Sequence, residues 1–202
     1  KVTIEVTFCE KKAPGLPFTD LEPGAWYYDA VEYVYENGLM AGTSGTTFSP
    51  NGITTRGQIV TILYRLAGSP DIEGEVWGYP YADVDAAAYY GTAVYWARLN
   101  GIASGYNDEH FGPDDPITRE QMVVMIYRYA KAMGYEVTGR ADLTVYADAE
   151  QVSAFAQEAM EWAVGGGIIS GTSDTTLSPQ GQASRAQDAV IMMRFCERFV
   201  EN

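Results

Sequence analysis

The chain has 202 residues, 47% of them hydrophobic, which is enough to build a core and too apolar for a disordered segment. Its 27 acidic and 13 basic residues give a formal charge of −14, which excludes non-specific nucleic-acid binding and electrostatic docking on anionic lipid. No apolar run approaches the ~20 residues that a membrane-spanning helix needs, so no membrane insertion is expected.

In chain order, Lys1–Thr7 alternates like a strand, and residues 1–17 read as a linker or the end of a preceding domain. The start at Lys1, without an initiator Met or a signal-type apolar stretch, reads as a piece of a longer protein. Cys9 and Cys196 stand at opposite ends, which is neither a disulfide framework nor a metal spacing; Cys196 falls on a helical pattern and reads as a small buried hydrophobe.

From Phe18 onward one module recurs, over 18–79, 80–145 and 146–202. The first copy runs from Phe18-Thr19-Asp20 through Gly42 and Phe48-Ser49-Pro50 to Thr55-Arg56-Gly57-Gln58. The second runs from Tyr81-Ala82-Asp83 through Gly105 and Phe111-Gly112-Pro113 to Thr118-Arg119-Glu120-Gln121. The third runs from Tyr146-Ala147-Asp148 through Gly171 and Leu177-Ser178-Pro179 to Ser184-Arg185-Ala186-Gln187. Each glycine lies 14 residues before its arginine and each proline 6 before it, while the Asp-to-Arg spacing is 36, 36 and 37 residues.

Each copy reads as helix, irregular loop, helix. In the first helix Ala30, Val31, Val34 and Leu39 match Ala93, Val94, Ala97 and Ile102, and then Ala159, Met160, Ala163 and Ile168, an apolar face with Tyr33, Trp96 and Trp162 beside it. Gly38, Gly101 and Gly167 stand where a left-handed residue ends a helix. The second helix carries the stripe Ile59, Ile62, Leu63 and Leu66, matched by Met122, Met125, Ile126 and Tyr129 and continued in the third copy by Ile191, Met192 and Phe195. The fold expected is all-α, with three helix-loop-helix repeats in a pseudo-threefold bundle, because neither stripe of one copy can be buried alone.

The start of each second helix carries the chemistry. Thr55-x-x-Gln58, Thr118-x-x-Gln121 and Ser184-x-x-Gln187 each fit a capping box, which makes Arg56, Arg119 and Arg185 the first helical residues. A cation there opposes the helix dipole at a cost of roughly 0.3–1 kcal/mol, so its recurrence requires a reason. In one reading each arginine pairs with an aspartate of its own or a neighbouring copy. In the other, the guanidinium and the free helix-start N–H groups bind an external anion; the two can coexist.

Aromatic-x-Asp, a helix ending in Gly, a loop Gly, Phe-x-Pro and Thr-Arg-x-Gln together resemble the S-layer homology domain, in all three copies from about Phe18 onward. The resemblance implies binding grooves between adjacent repeats and non-covalent attachment to secondary cell-wall polysaccharide, commonly through pyruvylated N-acetylmannosamine. It implies an extracellular module at the cell wall, part of a larger exported protein. Arg56, Arg119 and Arg185 would pair with the ketal carboxylate, Asp20, Asp83 and Asp148 would shape the groove and bond sugar hydroxyls, and Gly42, Gly105 and Gly171 would let a ligand approach the backbone. The alternative is a protein–protein interaction module with architectural Arg–Asp pairs. This chain departs from the family pattern in Gln58, Gln121 and Gln187, where Glu is usual, and in Leu177, Ser184 and the Gly165-Gly166-Gly167 run of the third copy.

Trp26, Tyr27 and Tyr28, and Tyr89 and Tyr90, are candidates for stacking on sugar faces, foremost Trp26, Tyr28 and Tyr90, with packing as the competing reading for each; Trp96 and Trp162 read as core. His110, the sole histidine, has no counterpart in the other copies, and no two carboxylates stand in distinct environments, so no enzyme is expected and no catalytic residue, metal or cofactor is assigned.

Overall fold

The computed structural model describes residues 15–72 and 81–201. The strand-like alternation of Lys1–Thr7 and the state of Cys9 lie outside the described residues, as does most of the Gly-, Pro- and acid-rich stretch that joins the first copy to the second.

The all-α expectation holds: among the described residues six α-helices form, two to a copy. They are α1 (Tyr28–Glu36), α2 (Arg56–Leu66), α3 (Gly91–Leu99), α4 (Arg119–Met133), α5 (Gln157–Gly165) and α6 (Arg185–Phe199), with short 3-10 turns at Leu143–Val145 and Ala149–Gln151. The first helix of each copy ends as its glycine dictates. Gly38, Gly101 and Gly167 have φ of +69°, +67° and +71°, and the next amide in each copy (Leu39, Ile102 and Ile168) bonds back to Val34, Ala97 and Ala163. That is the Schellman arrangement, and it drives a buried aliphatic side chain under the last turn.

Helix pairing does not follow the sequence repeat. The first helix of a copy packs against the second helix of the copy before it: α3 on α2, α5 on α4, and α1 on α6, where the last copy meets the first. The stripes expected in the core are there, with Ile59, Leu63, Met122, Ile126, Met192 and Phe195 all essentially inaccessible and Trp96 and Trp162 packed among them. Cys196 is buried too, and burial pushes its thiol up to about 12, so it acts as a hydrophobe.

Backbone bonds join the copies in a closed cycle. The amide of Ile117 donates to Thr54, that of Ala183 to Ile117, and that of Thr54 to Ala183, at 3.0, 3.1 and 3.0 Å. These are matching positions, each directly before a cap residue. Every second helix therefore starts from the junction of all three copies.

Candidate ligand-binding grooves

The three helix starts are built alike. The hydroxyl of Thr55 accepts the Gln58 amide and Gln58 Oε1 accepts the Thr55 amide, both at 3.3 Å, and the reciprocal pair recurs at Thr118/Gln121 and Ser184/Gln187. Gln thus serves the capping box as Glu would, but its spare atom is a donor NH2 group rather than a charged oxygen.

The helix-start N–H groups are not free, which corrects one expectation. Arg56 N and Gly57 N donate to the carbonyls of Asp115 and Pro113 in the next copy; Arg119 and Glu120 reach Gly181 and Pro179, and Arg185 and Ala186 reach Gly52 and Pro50. With the third amide held by the cap hydroxyl, the donors that would attract an anion are already spent.

The guanidiniums correct the other expectation, because they meet carbonyls rather than aspartates. Arg56 Nε donates to Phe111 O at 2.9 Å and Nη2 to Ser104 O at 2.8 Å. Arg119 does the same with Leu177 and Ser170, and Arg185 with Phe48 and Ala41. Among the described residues none of the three forms an ion pair. Each side chain is at most 7% exposed, and burial lowers its pKa. Arg56 also lies over the rings of Tyr106 and Phe111, and Arg185 over Phe48. Leu177 in place of the aromatic withholds that contact from Arg119.

The aspartates act one peptide away. Asp20 accepts the amides of Phe48 and Ser49 at 2.8 and 2.7 Å, so the Phe48 peptide is gripped by Asp20 at its N–H and by Arg185 at its C=O. Asp83 holds Phe111 and Gly112, and Asp148 holds Leu177 and Ser178, in the same way. Burial alone would raise these carboxyls, but the amides outweigh it and leave all three below the usual value. Motif charges are therefore coupled through the loop they share, not in direct contact.

Beside each arginine a groove opens. The Arg119 groove, about 280 Å³, includes Ser170, Gly171 and Gln187 of the third copy and Trp26 of the first. The Arg185 groove, about 330 Å³, includes Gly42, Gln58 and Arg65 of the first copy and Tyr89 of the second. The Arg56 groove, about 250 Å³, includes Gly105, Gln121 and Arg128 of the second copy and Phe155 of the third. All three copies thus contribute to every groove. The aromatics occupy one equivalent position, the residue before the first-helix cap, and stand 67%, 59% and 59% exposed for Trp26, Tyr89 and Phe155.

The three glycines line the grooves, yet their own loops explain them. A Cβ on Gly42 would strike the Phe18 ring and the carbonyls of Ser44 and Thr47; Gly105 is closed in by Tyr81, His110 O and Asn107 O, and Gly171 by Tyr146, Ser173 O and Thr176 O. Of the aromatics singled out from sequence, Trp26 lines a groove, Tyr28 is half-buried against the core, and Tyr90 is buried and packs on Gly57.

Phe155 and the groove arginines Arg65 and Arg128 escaped the sequence reading. Phe155 lacks the Tyr or Trp of its counterparts. Arg65, Arg128 and Arg194 recur nine residues after the helix-start arginines, a spacing that aligning the second helices to their ends reveals.

The S-layer homology domain model matches residues 17–60, 80–123 and 145–187, one match to each copy. The chain is 32% identical over 183 residues to an endoglucanase of Bacillus sp. (strain KSM-635), covering 91% of this chain and 19% of that protein. It is 29% identical to a surface-layer 125 kDa protein of Lysinibacillus sphaericus, over 84% of this chain and 14% of the relative. A cellulosome-anchoring protein of Acetivibrio thermocellus is 27% identical, over 79% of this chain and 36% of its own length. The chain therefore spans well under half of each of these relatives, which share this segment although their names describe different activities.

Proposed function

The chain belongs to the S-layer homology domain family, and from that premise we propose that it is a non-catalytic module that anchors a larger exported protein at the cell wall. The surface-layer and cellulosome-anchoring names of two relatives support this role and a location at the cell surface. The ligand is a secondary cell-wall polysaccharide, bound in the grooves at a pyruvylated sugar.

One observation carries this reading: each groove joins a guanidinium wall, the amide NH2 group of a glutamine and an exposed aromatic ring from a third copy. Ring faces favour the polarised C–H face of a sugar, the amide meets hydroxyls, and the guanidiniums meet a carboxylate. Nη1 of Arg56, Arg119 and Arg185 has no partner among the described residues, so these arginines keep a donor edge at the grooves. In a chain of charge −14 such local cations are what admit an acidic glycan.

The test is sedimentation of the purified chain with cell-wall sacculi before and after mild acid removal of the ketal, and after protease treatment of the wall. Retention that survives protease and falls after acid treatment is expected. Retention that instead falls with protease would identify a protein partner and overturn the glycan reading.

A further inference from the structure

The buried arginine and the arginine nine residues later divide one task in two. Arg56, Arg119 and Arg185 are nearly buried and have two nitrogens fixed on loop carbonyls, which leaves each only one nitrogen to offer a ligand. Arg65 and Arg128 are exposed and line the grooves. Arg65 spends one nitrogen on Leu39 O at 3.2 Å, and Arg128 makes no hydrogen bond or ion pair among the described residues. Each stands seven residues after a capping-box glutamine, two helical turns up the same face and roughly 10 Å along the axis. The helix thereby presents a neutral NH2 donor low in the groove and a full guanidinium higher up.

The third groove differs. Arg194, the equivalent residue, is half-buried, is drawn to Ser170 Oγ at 3.5 Å, and does not line the Trp26 groove. Around Arg128 the positive character continues: the adjoining hollow of about 470 Å³ also contains Lys131. Glu158 lines that hollow as well, but it is ion-paired with Arg140 at 2.8 Å.

We propose that Arg65 and Arg128, each with the glutamine below it, take the negative charge of an acidic sugar, and that the groove under Trp26 lacks this contact and discriminates little between charged and neutral sugars. This rests on the groove reading above and assigns its charge recognition to residues outside the helix-start motif. Accessibility favours the assignment. An exposed guanidinium can close on a carboxylate bidentately without breaking the buried bonds that clasp one copy to the next.

Calorimetry with a pyruvylated N-acetylmannosamine methyl glycoside and its uncharged methyl ester tests the idea on the whole chain, with Arg65→Gln, Arg128→Gln and the double variant melted in parallel. The acid should bind at two sites, roughly tenfold to a hundredfold tighter than the ester. Each single variant should lose that preference at one site and the double variant at both, with melting little changed. A double variant that keeps the wild-type preference for the acid overturns the assignment. A wild-type chain that binds neither probe instead counts against the groove reading itself.

Discussion

Arg185 Nε donates to Phe48 O across 137 residues of sequence, at 2.8 Å, and with this bond the last copy grips the first. The same contact joins Arg56 to Phe111 and Arg119 to Leu177, so the helix-start cation is the clasp between copies. Its dipole cost is offset by two charge-assisted bonds to carbonyls, the Nε bond buried and the Nη2 bond at the edge of a groove. Removing it leaves the Phe48 carbonyl unmatched in a buried site.

Arg185→Ala is accordingly expected to destabilise the chain by about 2–5 kcal/mol, and Arg185→Lys to recover little, because one ammonium cannot reproduce the forked contact to Phe48 and Ala41. Thermal or urea melting monitored by circular dichroism measures this. Loss of wall binding in an Arg185 variant then reports unfolding unless the melting curve is intact. Equal stability of the alanine variant would show that the clasp contributes nothing.

Gly105→Ala should damage the loop rather than the ligand contact. The added methyl meets the carbonyls of His110 and Asn107 and the Tyr81 ring, and Gly105 N also donates to Tyr81 Oη at 2.7 Å. The loop must open to accommodate it, loosening the Phe111 peptide that Asp83 and Arg56 hold from either side. A loss of about 1–3 kcal/mol is expected in the melt. Full stability with weakened glycan binding would point to backbone approach by a ligand instead.

The helices, their caps and the core stripes were legible in the sequence because each is a local pattern: Thr55-x-x-Gln58 specifies its own box, and Gly38 its own helix end. The partner of each arginine was not. A carbonyl leaves no mark in sequence, since every residue has one, so Arg56 suggested an aspartate of its own or a neighbouring copy when its partners are the main chains of Phe111 and Ser104. Pairing of α3 with α2 was equally hidden, because a repeat in sequence does not say which copy a stripe packs on. Tyr89 and Tyr90 show the finest limit: adjacent rings of one chemistry, one exposed in a groove and one buried, separated only by the direction in which the chain enters α3.

Asp188 makes stability depend on pH. It is wholly buried at the fourth position of α6, where the other copies place Ile59 and Met122, and neither carboxyl oxygen has a hydrogen-bond partner among the described residues. The Thr54 hydroxyl beside it and the charges of Arg185 and Arg119 oppose the desolvation only in part. Burial pushes the carboxyl up to about 7 from its ordinary 3.8. Unfolding thus releases a proton between those values, and stability falls as pH rises through this window and levels off above it. The loss is on the order of 4 kcal/mol, and Asp188→Asn should remove it. Urea titrations of both proteins from pH 4 to pH 8 check this, and parallel slopes would show that Asp188 is not the titrating group.

The exposed aromatics give the cleanest separation of binding from folding. Trp26, Tyr89 and Phe155 enter the grooves but leave most of their surface to solvent, so truncation opens no internal cavity. Alanine at each should shift stability by less than about 0.5 kcal/mol. The same change at Trp162, which is 1% exposed and packs on Phe195 and Phe199, should cost about 3–5 kcal/mol. If the rings are sugar platforms, the triple variant loses retention on wall sacculi while melting as the parent does. Single variants lose only part of it, because three linked weak sites support one another through effective concentration. The ranking of the single variants is informative as well: Trp26 offers the largest face but no second arginine, so its loss should weaken a neutral glycan more than an acidic one. Retention unaffected by all three changes would leave the rings without a role in binding.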